Sequence, residues 1–285
     1  MRKIWSQMRE NPSLLHFSSV LGLSVDDAVD IVCLTGITSS LVVAAGLGTA
    51  PSVALTWLSY LSLVNVGQTF MSFQWDILLL EVGFASIWLA PLARPSEGSS
   101  AQGPALLLLR WVLFKLMFMS GMVKITSRCP TWLGLTACHY HFASQCIPTP
   151  LAWYLHQLPD PLLRLGVAAT LLVEIPAPFL ILCPWRGVKA LAAGLQALLQ
   201  ALIILSGNYN FFNWLTILLC VPLLLGGPGP ASGPSSSDGR GGAAGPVLAL
   251  LGAAEGLPGL PLALAAALLC AACASMFAAG PSASA

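Results

Sequence analysis

The sequence predicts an all-α, polytopic transmembrane helix bundle of about seven to eight spans with one long luminal loop. Two features of composition point there. Of 285 residues 56% are hydrophobic and only 8% charged, with a mean hydropathy of +0.82, whereas a soluble domain carries roughly a quarter charged residues. The third observation is spacing: apolar stretches recur at close to the roughly 20 residues that a helix needs to cross a hydrocarbon layer about 30 Å thick. Short polar turns separate them.

Residues 1–30 form an N-terminal segment. Basic residues stand at its front, but no continuous apolar core and small-residue cleavage site follow, so it does not read as a cleavable signal. The membrane domain is expected over 31–226. Ile31 to Val66 is too long for one span and "GLGTAPS" interrupts it, giving two spans that meet near Pro51. Gln74 to Ala93 is the third and Ala105 to Val123 the fourth. A long polar segment rich in Trp, His and Pro, 125–160, follows. Leu162 to Cys183 is the fifth span, with Pro176 and Pro178 expected to kink it; Ala190 to Leu205 is the sixth and Phe211 to Leu225 the seventh. A Gly/Pro/Ser-rich linker is expected over 227–246, and an Ala-rich C-terminal segment over 247–285 offers a last span.

Orientation follows from the basic residues. Arg94 and Arg110 flank the turn after the third span, and Arg186 and Lys189 the turn after the fifth, so both turns are expected in the cytosol. The 125–160 loop then faces the opposite side, the lumen of the endoplasmic reticulum in a protein of that compartment. Parity puts "GNYNFFN" on the same side, at the mouth of a helix hairpin, and the N-terminus with it, against the pull of Arg2, Lys3 and Arg9.

Composition also excludes. A net charge of +1 leaves no cationic surface to neutralise a phosphate backbone, so nucleic acid is not a partner. None of the eight cysteines has zinc-finger spacing, and the five in apolar runs read as small buried hydrophobes. No metal and no cofactor is expected. "CHYH" brings His139 and His141 close only in a turn, and a disulfide between two of Cys129, Cys138 and Cys146 is the favoured use of those thiols. The one sequon-like asparagine, Asn11, is followed by Pro12.

Ionisable groups inside spans are the candidates for chemistry. Asp76 near a span end is expected to be interfacial. Lys124 and Glu174 are the candidate catalytic pair, a desolvated lysine as base with a carboxylate partner; the competing reading is a helix-registering ion pair such as Glu174 with Lys115. In the loop, Cys129, Trp132, Cys138, His139, His141, Cys146 and Trp153 are candidates for a docking surface, the alternative being an aromatic belt that anchors helix ends. Asn208, Tyr209, Asn210 and Asn213 form a helix-start motif, in which an asparagine side chain would cap orphan amides.

Three blocks, "NVGQTFMSFQWDILLLEVGF", "RWVLFKLMFMSGMVKITSRCPTWLGLTACHYHFASQCIPTPLAWYLHQLP" and "LIILSGNYNFFNWLTILL", resemble the lipase maturation factor family in content and order. The resemblance implies a multi-pass endoplasmic reticulum membrane protein, without catalytic activity of its own, that assists folding and assembly of secreted lipases through luminal loops. Its clients would be lipoprotein lipase-like enzymes. Measured against that family the chain is expected to be a truncated form. A more distant similarity runs from "LLLRWVLFKLMFMSGMVKI" and "TWLGLTA" to vitamin K-dependent gamma-carboxylases, which implies the alternative of an intramembrane enzyme using Lys124.

Overall fold

A computed structural model describes residues 2–93, 102–145 and 147–225; of residues 2–5 and 102 it describes the backbone alone. The described residues hold twelve α-helices, three 3-10 turns and one π-helical stretch, with no strand among them. They divide into two compact units, one ending at Leu106 and the other beginning at Leu107. The linker over 227–246 and the segment over 247–285 lie outside the described residues, as do Arg94 and Cys146.

The first unit opens with α1 (Arg2–Glu10), a 3-10 turn (Leu14–Phe17) and α2 (Ser18–Leu21). This segment is held on the membrane helices by polar contacts. The Asn65 amide donates to the Pro12 carbonyl at 2.5 Å and the Leu14 N–H to the Ser62 hydroxyl at 2.9 Å. Leu15 packs into a cluster with Ala28, Val32, Cys33 and Leu63.

α3 (Val25–Val42) begins at Ser24, whose hydroxyl accepts the Asp27 N–H, with Asp26 and Asp27 favourably placed at the positive end of the helix. It runs on to Leu47 and breaks at Gly46, whose φ of +79° only glycine adopts freely. α4 (Ala50–Val66) restarts with Thr49 and Ser52 forming a capping box and Pro51 in the first turn. The break expected near Pro51 is therefore real. α5 (Gln74–Leu89) completes the unit.

Small and hydroxylated residues line these helix contacts, as expected where no water drives association and close backbone approach decides packing. Thr56 donates to Ser39 at 2.8 Å, the Trp57 indole N–H to the Leu80 carbonyl at 2.9 Å, and Gly83 leaves the space the Trp57 ring needs. Asp76 corrects the sequence reading. It is 4% exposed rather than interfacial, and its carboxylate accepts the hydroxyl of fully buried Tyr60 at 2.5 Å.

The second unit holds most of α6 (Gln102–Thr126), then α7 (Pro130–Leu133), α8 (Ala137–His141), α9 (Pro150–His156), α10 (Asp160–Glu174), a 3-10 turn (Ala177–Leu182), α11 (Arg186–Ser206) and α12 (Phe212–Leu224). α11 and α12 form an antiparallel hairpin. Where α12 ends, the Arg110 guanidinium donates to the carbonyls of Pro222, at 2.8 Å, and Leu225. Those are C-terminal carbonyls left without partners along the helix.

Among the described residues four helical stretches are long and apolar enough to cross a membrane: Val25–Leu47, Gly103–Thr126, Asp160–Leu182 and Arg186–Ser206. Ala50–Val66 and Phe212–Leu224 are apolar but shorter. Membrane crossing by length alone thus accounts for four of the expected seven to eight.

Replacing Tyr60 by Phe removes the donor from a buried carboxylate, for which roughly 1–3 kcal/mol is the general cost. A lower unfolding temperature of Tyr60→Phe in detergent, with helix content unchanged at low temperature, is the expected result.

Candidate functional site

Lys124 and Glu174, fifty residues apart, meet in the second unit. The ammonium Nζ lies 2.6 Å from Glu174 Oε2, with side-chain exposures of 16% and 6%. Ser120, one turn before Lys124 on the same face of α6, closes the arrangement. Lys124 donates to the Ser120 hydroxyl at 3.0 Å and to its carbonyl at 3.2 Å, and the hydroxyl donates on to Glu174 Oε1 at 3.4 Å. The Trp132 ring lies 5.0 Å from Nζ, within reach of a cation–π attraction.

Local sequence explains why these groups converge. Gly121 permits the approach: a Cβ there would stand 2.6 Å from Ile175 Cγ1 and 3.0 Å from the Glu174 carbonyl carbon. Glu174 ends α10 because Pro176 and Pro178 cannot supply the N–H groups that would continue it, and the chain tightens into the 3-10 turn. The kink expected from these prolines is seen. Gln196 of α11 donates its amide to the Val173 carbonyl at 2.9 Å, just before the break.

The pairing also shows which lysine of α6 meets Glu174. Lys115 lies on an exposed face of α6 with Trp111 and Met119, and the registering partner of Glu174 is Lys124. An ammonium has three N–H donors, and here three acceptors surround it.

Along the polar segment, Cys129 precedes α7. Its Sγ lies 3.0 Å from the Thr131 hydroxyl, and this contact, with the N–H groups of Thr131 and Trp132 behind it, pulls the thiol below its ordinary range. Cys138 sits over Gly166 of α10, and burial pushes its thiol up. Both are free thiols, so the expected disulfide does not join them to each other; Cys146 lies outside the described residues.

The two histidines of "CHYH" diverge. His139 Nε2 lies 2.8 Å from Asp160 Oδ1 while Arg164 holds the other oxygen at 2.8 Å. His141 stacks on Tyr209, with rings 6.3 Å apart and nearly parallel. Burial, and then the charge of Lys124, hold its imidazole below the usual range. Among the described residues no group of three or more His, Cys, Asp and Glu converges on a common point.

That stack ties the segment to "GNYNFFN", and two more bonds fasten it. The Gln145 amide donates to the Ser206 carbonyl and the Thr149 hydroxyl to the Leu205 carbonyl, each at 2.8 Å. At Gly207 the fit is close: a Cβ there would meet Gln145 Oε1 at 2.2 Å, so a larger residue would have to displace the Gln145 side chain. The asparagines act differently from expectation. The residue preceding α12 is Phe211, without a side-chain cap; Asn210 takes the left-handed conformation at φ +56°, and the Asn208 side chain accepts its N–H at 3.3 Å. Asn213 is buried inside the first turn of α12. Trp153 points outward, 64% exposed, edge to face with Tyr154.

Ser120, Gln145, Thr149, Gln196 and Arg110 complete these contacts, and sequence reading did not single them out as site residues. Usable signals were there for three of them: Arg110 is a charge inside a span, Ser120 lies four residues before Lys124 on one helical face, and Gln196 is an amide in the middle of an apolar run.

The family model of the lipase maturation factor transmembrane domain matches residues 1–226. The chain belongs to the lipase maturation factor family. It is 49% identical over 226 residues to lipase maturation factor 2 of Xenopus laevis, covering 77% of this chain and 32% of that protein. Against human lipase maturation factor 2 the identity is 45% over 236 residues, covering 77% and 33%. Mouse lipase maturation factor 1 is 36% identical over 195 residues, covering 67% and 33%. The resemblance to the second member exceeds that to the first, and the chain spans about a third of the length of these relatives. No solved structure matches it. A multi-pass membrane domain of this family thus carries the ion pair and the fastened polar segment described above.

Two outcomes follow. Removing one partner of a buried ion pair costs roughly 3–5 kcal/mol, whereas an apolar replacement of both is often close to neutral. Lys124→Met alone should therefore unfold at lower temperature than the Lys124→Met/Glu174→Leu double variant, measured in nanodiscs. For the thiols, alkylation by iodoacetamide should reach its half-maximal rate at lower pH for Cys129 than for Cys138, read by peptide mass spectrometry. Cys129 forms thiolate at lower pH than a free cysteine because its thiol is pulled down, and Cys138 only at higher pH.

Proposed function

We propose that this chain is an endoplasmic reticulum membrane factor that assists folding, maturation and assembly of secreted lipases, binding clients through the loop over 125–160. The family match across the whole membrane domain is the observation that carries this reading. The relatives' name, lipase maturation factor, supports lipases as the clients, and we take lipoprotein lipase-like enzymes as the candidates. The docking face would be built from Cys129, Trp132, Cys138, His139 and His141, with Cys146 and Trp153 as the further candidates. Asn208, Tyr209, Asn210 and Asn213 would support it from below through the Tyr209 stack.

Seven crossings result when Ala50–Val66, Gln74–Leu89 and Phe212–Leu224 are added to the four longer stretches. The eighth would come from 247–285. Odd and even crossings then put Arg110 and Arg186 on the cytosolic side and the fastened loop in the lumen.

The role is read as noncatalytic. A carboxylase-like enzyme would need a neutral Lys124, and Lys124→Arg separates the two readings because guanidinium keeps the ion pair but does not deprotonate. In cells lacking lipase maturation factors, co-expression of this chain should raise the activity of secreted lipase per unit mass. Lys124→Arg should do so equally. Rescue lost by Lys124→Arg at normal expression would overturn the binding role, and no rescue by the unaltered chain would overturn the lipase reading itself.

A further inference from the structure

We propose that α9 is an interfacial anchor whose partner is the lipid headgroup layer, so that Trp153 and Tyr154 face membrane rather than client. The argument starts from depth. α11 has 21 residues, about 30 Å at 1.5 Å per residue, so its last turn lies at the edge of the hydrocarbon. Thr149 donates to the Leu205 carbonyl and Gln145 to the Ser206 carbonyl, both in that turn. Thr149 is also the residue at the head of α9, its hydroxyl accepting the Ala152 N–H at 3.3 Å. The short helix therefore starts at the boundary between hydrocarbon and headgroups. Its seven residues extend only about 10 Å, too little to leave that region by more than a headgroup's depth.

The faces of α9 agree with this placement. Ala152 is fully buried toward the bundle, while Leu151, Trp153 and Tyr154 are turned outward, 40%, 64% and 65% exposed. α11 carries its own exposed stripe of Leu198, Leu202 and Leu205, the surface that a membrane-spanning helix offers to lipid, and the head of α9 is bonded to the last residue of that stripe through Thr149. An exposed apolar face on a helix bonded to the end of a lipid-facing one, and carrying one Trp and one Tyr, matches the residues that favour the interface. Their rings bury in the acyl boundary while the indole N–H and phenol O–H reach the headgroups. The anchor also explains why the last-turn carbonyls of α11 are met by the loop: no water is reliably present there to meet them. This inference rests on the membrane-spanning character of α11 and not on the identity of any client.

The test uses the full chain in phosphatidylcholine nanodiscs, with p-benzoylphenylalanine replacing Trp153, Tyr154 or Leu202 in separate samples. After irradiation, phospholipid adducts at positions 153 and 154 should rise several-fold over unirradiated samples and match those at position 202. Position 202 reacting with lipid while 153 and 154 stay at background would overturn the proposal. So would adducts at 153 that are polypeptide rather than phospholipid when a lipase is co-expressed in cells, and that result would return Trp153 to the docking face. Neither negative result bears on lipase rescue.

Discussion

A backbone carbonyl at the end of a membrane helix has lost its partner along the chain and finds little water to replace it, and most of the second unit is arranged around that constraint. Arg110 meets the carbonyls at the end of α12, Gln145 and Thr149 meet those at the end of α11, and Gln196 meets Val173 just before the break in α10. In each case the donor comes from an element distant in sequence. Satisfying the backbone and fixing the tertiary arrangement are therefore the same act. A loop that must end on the carbonyls of Leu205 and Ser206 is no longer free to wander.

The Lys124–Glu174 pair follows from the same logic applied to charge. Two prolines stop α10 where the carboxylate falls next to Gly121, and the missing side chain at Gly121 lets α6 come close enough for a 2.6 Å contact. A buried pair of this kind contributes little net stability, because desolvating both ions offsets their attraction. A slip of α6 against α10 would leave both charges unpaired, which costs more than the pair itself gains. With Trp132 over the ammonium, the register is passed on to the first turn of the polar segment.

How legible this was varies with the kind of signal. The four spans that coincide with long apolar helices were readable because hydropathy and length report burial in lipid directly, and the break near Pro51 and the kink at Pro176 were readable because glycine and proline act locally. The partner of Glu174 was not. Lys115 and Lys124 are both on α6, and choosing between them requires knowing which face meets α10, which depends on Gly121 rather than on either charge. Asp76 was misjudged for a related reason. Its place near a span end suggested water, but Tyr60 supplies a hydroxyl that makes burial tolerable. The asparagines of "GNYNFFN" were located correctly and their work was not, because a left-handed residue at 210 and a cap at a helix start call for the same amino acid.

The loop over 125–160 has more than one environment along its length, which a single label for the segment hides. Its first part, from Cys129 to His141, is bound to the ion pair, to Gly166 and Asp160 of α10, and to Tyr209. Its later part, from Gln145 to His156, is bound to the end of α11. The first part takes its position from charge and aromatic contacts, the second from backbone carbonyls at the membrane boundary. Any polypeptide that docks on the segment therefore meets a surface already held at both ends. Little of the loop is left to be ordered on binding, and the conformational entropy lost at that step should be correspondingly small.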